Sequence, residues 1–188
     1  MHHAFPCGTL PLDFAGTLRA RRRAAPAEKL GTPELLDAWF TESGLLAAPS
    51  GADAVDLASA RELREAIYTL VTARIDGVQL PSAAVSVVND QAACLPVGLA
   101  LGGAGVLRTG TAAQGLASLA REAVAIVGGD EAQLLRECGR PECTQVYLDR
   151  SRGRRREWCA MRTCGNRVKA AAFRARHGTA PANDPTSS

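Results

Sequence analysis

The sequence predicts a mainly α-helical chain of the α+β type, divided into two unequal parts. Three observations predict it. Apolar residues recur at helical spacing behind recognisable caps; one glycine turn joins two short apolar runs; and four of six cysteines crowd into the stretch 138–164. At 188 residues the chain can bury one ordinary core and carry one small appendage. Aromatic residues are 4%, so Ala, Leu and Val must build most of that core.

Taken in order, residues 9–18 form a short apolar segment leading into the arginines at 19 and 21–23. A helix is expected from Pro33 to Phe40, with Thr32 at N-cap, Pro33 at N1 and Glu34 near the positive end of the dipole. Leu35, Leu36, Trp39 and Phe40 would face the core. After a loop over 44–51, Asp53 caps a long helix running to about Asp76, and Gly77 stops it. Val55, Ala58, Leu63, Ile67, Leu70, Val71 and Ile75 lie largely on one side of that helix. Pro81 begins another helix, reaching about Ala93.

Residues 97–101 and 105–109 read as two strands around Gly102-Gly103-Ala104, a hairpin. These glycines spell neither GxGxxG nor a P-loop, so a turn is the reading. Helix resumes over 112–127, breaks at Gly128-Gly129, and restarts with Asp130 as its cap through about Arg136. The organisation expected is a helical domain over 1–135, a cysteine-rich module over 136–177, and a disordered tail over 178–188. His2 and His3 are placed in a disordered terminus.

The cysteines form two C-x4-C pairs, Cys138/Cys143 and Cys159/Cys164, separated by fifteen residues. Zinc requires four soft ligands in a tetrahedron, and each short pair can supply one edge. Four thiolates close the coordination sphere, so one structural Zn2+ is expected, with no position left for a catalytic water. Gln145–Asp149 alternates as a strand, Ser151-Arg152-Gly153 turns, and Arg156-Glu157-Trp158 returns. Cys164 would open a helix reaching Arg176. A knuckle, a hairpin and a helix carrying the last ligand describe a treble-clef-like zinc finger. Cys7 and Cys94 are read as small apolar residues in or near the core.

Charge is polarised. From Arg136 to His177 there are twelve basic and four acidic residues, a net +8, whereas the rest of the chain carries −5. With zinc on four thiolates the module stays near +6. Along its helix, Arg162, Lys169 and Arg176 share one line and Arg167 and Arg174 a second, opposite a stripe of Met161, Val168, Ala172 and Ala175. Phe173 lies on the basic side. With Arg152, Arg154, Arg155 and Arg156 from the hairpin, these cations suit a nucleic-acid backbone. The alternative is a solvated basic face that compensates the metal centre, with Phe173 docked on the acidic domain. Arg167 and Asn166, beside a ligand, are as well suited to orienting sulfur as to reading bases.

Cys138-Gly-Arg-Pro-Glu-Cys143, Leu148-Asp149-Arg150-Ser151, Arg155-Arg156-Glu157-Trp158-Cys159 and Cys164-Gly165-Asn166-Arg167-Val168-Lys169 resemble the CGNR-type zinc finger of bacterial proteins. That finger follows an N-terminal ABATE domain in a family of stress-induced transcription regulators. Leu12-Asp13-Phe14-Ala15-Gly16-Thr17 is similar to the domain's opening motif, and Leu35 to Phe40 to its first clear helix. The motif usually carries Asn where this chain has Gly16.

The resemblance implies zinc-dependent DNA binding in transcription regulation, with the first domain sensing a small-molecule effector or forming a homodimer. A second class of reading is a zinc-stabilised module that binds an acidic protein partner. A third is an enzyme or ligand-binding protein with its pocket in the first domain, although no catalytic constellation stands out and no enzyme is expected. No apolar run approaches the roughly 20 residues that span a bilayer, and no secretory signal opens the chain, so the expectation is a cytoplasmic protein.

Overall fold

Caps and hydrophobic spacing together set the helical frame. The computed structural model describes residues 2–103 and 105–177, the side chains of Arg176 and His177 excepted. The tail expected over 178–188 and the basic contact assigned to Arg176 therefore lie outside the described residues. The first elements are α1 (Leu10–Ala15), a small ribbon of β1 (Leu18–Arg19) and β2 (Ala27–Glu28), then α2 (Pro33–Glu42), α3 (Ala54–Asp76) and α4 (Ser82–Ala93). A hairpin of β3 (Gly98–Gly102) and β4 (Gly105–Thr109) precedes α5 (Ala112–Gly128).

The long helix α3 follows its signals closely. Asp53 accepts the N–H groups of Val55 and Asp56, and Asp56 accepts the N–H of Asp53 in return. Gly77 ends the helix at φ 67°, a left-handed conformation that suits glycine. The buried stripe runs through Leu57, Ala60, Leu63, Ile67, Leu70 and Val71. Val55, expected in that stripe, is 72% exposed, and Ala58 also faces solvent. Leu57 and Ala60 occupy the corresponding core positions, which places residues two earlier on the opposite side.

Helices α4 and α5 pack together and both pack on α3. Thr111 and Gln114 form a second reciprocal cap at the start of α5. Gly115 allows α5 to approach Phe40, because a Cβ there would sit 2.9 Å from the ring. In α2, Leu36, Trp39 and Phe40 are buried, while Leu35 is half-buried. Pro33 leads that helix as expected, but Thr32 makes no cap bond and instead bonds the Glu34 carboxyl, holding it below its ordinary range.

The first segment is more ordered than the sequence suggested. Residues 10–15 form a helix, α1, whose Leu12, Phe14 and Ala15 enter the core against α3 and α5. Trp39 gathers Phe5, Phe14 and Phe40 at centroid distances of 5.8, 5.0 and 5.9 Å. The terminus is docked, contrary to the disorder expected of it. The N–H groups of His2 and His3 donate to the Glu42 carboxylate, and His3 Nε2 lies 3.1 Å from the Leu35 carbonyl. Cys7 is fully buried as expected, whereas Cys94 is exposed just beyond the end of α4.

Arginines pin the β1–β2 ribbon to α3. Arg64, 3% exposed, donates twice to Glu28 at 2.6 and 2.8 Å. Arg21 reaches Glu65 and lies over the Tyr68 ring, 3.9 Å from its centroid.

After α5 a 3-10 turn over Asp130–Leu134 leads into β5 (Leu135–Glu137). The helix expected through Arg136 thus stops at Leu134, and Asp130 does not cap it. Leu135 is 1% exposed and pairs with Leu148 of β6 (Val146–Leu148), so tertiary pairing overrides local helix preference. The chain then passes through a π turn (Met161–Gly165) into α6 (Asn166–His177). One buried cluster joins the helical core to Tyr147, Leu148 and the paired cysteines. Among the described residues, no helix is long and apolar enough to cross a membrane.

Candidate metal centre

The four cysteines Cys138, Cys143, Cys159 and Cys164 converge. Their sulfurs all lie within 4.8 Å of one another, and each residue is buried. Cys143 Sγ is 3.8 Å from Cys159 Sγ, which is 3.6 Å from Cys164 Sγ. A tetrahedral ion with Zn–S bonds of about 2.3 Å requires sulfur separations of about 3.8 Å, so the donor set fits zinc in number, softness and spacing. Packed this closely, the thiols cannot all ionise without a cation. Bonds from Cys143 and Cys159 hold Cys138 far down, while the same contact with Cys138 pushes Cys143 up to about 12.

Local structure delivers each ligand. β5 carries the chain to Cys138, whose N–H donates to the Gln145 carbonyl at 2.9 Å. The knuckle closes when the Cys143 N–H meets the Arg140 carbonyl at 2.8 Å, and the Gly139 N–H meets the Glu157 carbonyl at 2.8 Å. The Cys159 N–H points at Cys138 Sγ, 3.5 Å away. Cys164 sits in the π turn ahead of α6.

The hairpin expected between the cysteine pairs is formed differently. Only Val146–Leu148 is a strand, and its partner is β5, ahead of the first pair. Arg156-Glu157-Trp158 forms no strand because side chains hold it instead. Asp149 accepts from the Ser151 N–H at 2.9 Å and hydroxyl at 2.5 Å, and from the Arg156 N–H at 3.2 Å. These bonds keep the Asp149 carboxyl below its ordinary range.

The first domain and the cysteine module are stitched together across this centre. Gln145 Nε2 donates to the Gly16 carbonyl at 2.9 Å, and the Cys7 thiol meets Gln145 Oε1 at 3.1 Å. The Leu148 N–H donates to the Cys7 carbonyl at 3.2 Å. Arg22 pairs with Glu137 at 2.8 Å, Arg23 with Glu142, and Arg150 with Glu131 at 2.6 Å.

A family model described as "Putative stress-induced transcription regulator", ABATE, matches residues 8–130. The chain belongs to the ABATE family. A second model, the CGNR zinc finger, matches residues 135–177 and contains all four converging cysteines. No curated protein matches the chain. In this ABATE protein the CGNR cysteines hold one structural zinc ion, and its match begins at Leu135, the first residue of β5.

The nucleic-acid candidates separate by environment. Arg152, Arg154, Arg155, Arg162, Arg167, Lys169 and Arg174 are exposed. Arg156 is not: its guanidinium donates to the carbonyls of Trp158 (2.9 Å), Pro6 (2.8 Å) and Cys159, and stacks on Tyr147. The stripe proposed for α6 is shallow. Val168 is half-buried, while Ala172 and Ala175 face solvent, Met161 is 50% exposed and Phe173 57% exposed. Trp158 packs against the core.

Two concavities flank Ala160. One, of about 590 Å3, is lined within the finger by Arg152, Arg155, Arg156, Trp158 and Met161. The other, of about 800 Å3, lies between the finger and the first segment, with Arg19, Arg23, Arg140, Arg162 and Arg167 on its wall. Sequence reasoning missed the second, because Arg19 and Arg23 are over a hundred residues from the finger and only the fold brings them there.

Proposed function

We propose that the chain is a zinc-dependent, DNA-binding transcription regulator of bacteria, with no catalytic role. The observation that carries this reading is a contrast between two sets of arginines. Around the β1–β2 ribbon and α3 of the first domain, Arg21, Arg22, Arg23, Arg61 and Arg64 lie in ion pairs. Arg19, Arg74, Arg108 and Arg121, also in that domain, lie in none among the described residues. On the finger, Arg152, Arg155, Arg162, Arg167, Lys169 and Arg174 form no ion pair among the described residues, although they crowd one small module. Like charges held together without partners are relieved by a polyanion, and regularly spaced phosphates supply one.

The zinc ion fixes the base of α6, so that its basic lines are presented on a rigid support. Arg152 and Arg155, on the turn after β6, extend the same surface. Arg156 orients this turn from beneath and makes no phosphate contact in this reading. The first domain supplies the platform and the site at which a signal acts.

The test is a gel shift of the zinc-loaded chain on random duplexes across a salt series. Four to six phosphate contacts give a log–log slope of roughly −4 to −5, about −0.9 per contact. Absence of binding at roughly 50 mM salt, or binding that ignores salt, overturns the reading. Retention of an acidic protein after nuclease treatment, with no duplex binding, would assign the surface to a protein partner instead.

A further inference from the structure

The cavity of about 800 Å3 at the seam between β1 and the zinc centre shares Arg162 and Arg167 with the surface assigned to DNA, but part of its wall comes from the first domain. Its walls come from both halves of the chain. Phe5, Pro6, Ala20 and Ala27 of the first domain give it an apolar side, and arginines from both halves give it a cationic side. The volume falls within the range of small-molecule sites, which combine an apolar lining with a few convergent polar groups.

The charge does not close upon itself. Five guanidinium groups line the cavity, from Arg19, Arg23, Arg140, Arg162 and Arg167, against the single carboxylate of Glu142. Glu142 pairs with Arg23 and lies 4.0 Å from Arg140. Cys143, Cys159 and Cys164 also border the cavity, so the zinc–tetrathiolate centre adds two negative charges nearby. Two positive charges remain after both are counted.

Two of these guanidinium groups also carry an unpartnered donor. The Nε groups of Arg19 and Arg140 are shielded from solvent and meet no acceptor. Buried donors ordinarily have partners, and guanidinium donors are best met by an anion. Arg19, Arg162 and Arg167 take part in no ion pair among the described residues.

We infer that this cavity binds a small organic dianion, its charged head among Arg19, Arg140, Arg162 and Arg167 and its apolar body against Phe5 and Pro6. Phosphate monoesters and dicarboxylates share that chemistry. The site goes beyond the DNA reading and does not depend on it, because binding is measured on the protein alone.

The experiment is isothermal titration of the zinc-loaded full chain with phenyl phosphate and, separately, with phthalate. Each carries two negative charges on a phenyl body. Binding of either supports the site, and the stronger one identifies the head group. Arg19→Ala is expected to weaken that binding at least about tenfold, as loss of a charge-assisted contact does, and Arg19→Lys to retain most of it. Neither variant should change zinc content or the salt slope on duplex DNA, since Arg19 lies outside the proposed DNA surface.

Failure of both probes to bind at roughly 5 mM overturns the inference, as does binding that Arg19→Ala leaves unchanged. Should Arg19→Ala lose zinc, Arg19→Gln takes its place with the same expectations. A chain that binds phenyl phosphate but no duplex would retain this site and lose the DNA reading.

Discussion

The guanidinium carbon of Arg156 lies 4.3 Å from the centre of the Tyr147 ring, while the Tyr147 hydroxyl donates to the Arg156 carbonyl. Two residues nine positions apart thus clasp each other face to face and end to end. Through the Arg156 donors to Pro6, Trp158 and Cys159, the clasp also ties the first segment to the third zinc ligand.

Removing that guanidinium therefore costs stability first. Arg156→Ala should lower unfolding free energy by about 2–4 kcal/mol, because three part-buried carbonyls lose their donor together. Arg156→Lys should restore little, since an ammonium cannot stack as a plane or fork among three carbonyls. Arg152→Ala, by contrast, should leave stability within about 0.5 kcal/mol and reduce the DNA salt slope by about 1. Chemical denaturation and gel shifts on the same preparations separate these effects.

Gly16 and Gln145 are coupled by space. A Cβ on Gly16 would lie 2.5 Å from Gln145 Oε1, and Gln145 is buried and already bonded to Gly16 and Cys7. Gly16→Ala should destabilise the chain by about 1–3 kcal/mol through overpacking. In a Gln145→Ala background the same change should cost less, and a double-mutant cycle of denaturation midpoints measures the coupling.

Asp13 gives a pH signature. Burial pushes its carboxyl up to about 6 from 3.8, although it accepts the Cys7 N–H at 2.8 Å. Between about pH 4 and 6 the folded chain keeps a proton that the unfolded chain releases, so this group lowers stability as pH rises through that window. Above it the cost is complete. Asp13→Asn should remove this slope while keeping an acceptor for Cys7. Protonation of the zinc thiolates acts in the opposite direction, so the difference between the two proteins across pH isolates Asp13.

Zinc removal should reach beyond the finger. Cys159→Ser, or a strong chelator, should abolish stoichiometric metal and forfeit much of the roughly 10–16 kcal/mol that structural zinc supplies in finger peptides. Because Tyr147 and Leu148 share the buried cluster with the helical core, thermal unfolding of the first domain should also shift downward. Metal analysis with circular dichroism melts checks both effects. An unchanged first-domain melt would show that the shared cluster contributes no coupling.

Much of this was legible in the residues themselves. The four cysteines announced their centre by spacing alone, and α3 announced both ends through Asp53 and Gly77. What failed was local reasoning about short segments. Residues 10–15 make less than two helical turns, too few for periodicity to register, yet they enter the core. The stretch 135–136 read as helix because its strand partner in β6 (Val146–Leu148) lies across the knuckle. Gln145 gave no signal at all, since its importance lies in touching Gly16 and Cys7, which are remote in sequence.

The division placed between residues 135 and 136 falls inside β5, whose three residues pair with Val146–Leu148. A fragment starting at 136 would leave Leu148 facing a missing neighbour, and one ending at 135 would strand an unpaired apolar edge. Evolutionary shuffling of this finger onto another scaffold would have to carry the strand along, or find a replacement for it. The finger is better bounded at Leu135, where its family match begins, so that both paired strands belong to one unit.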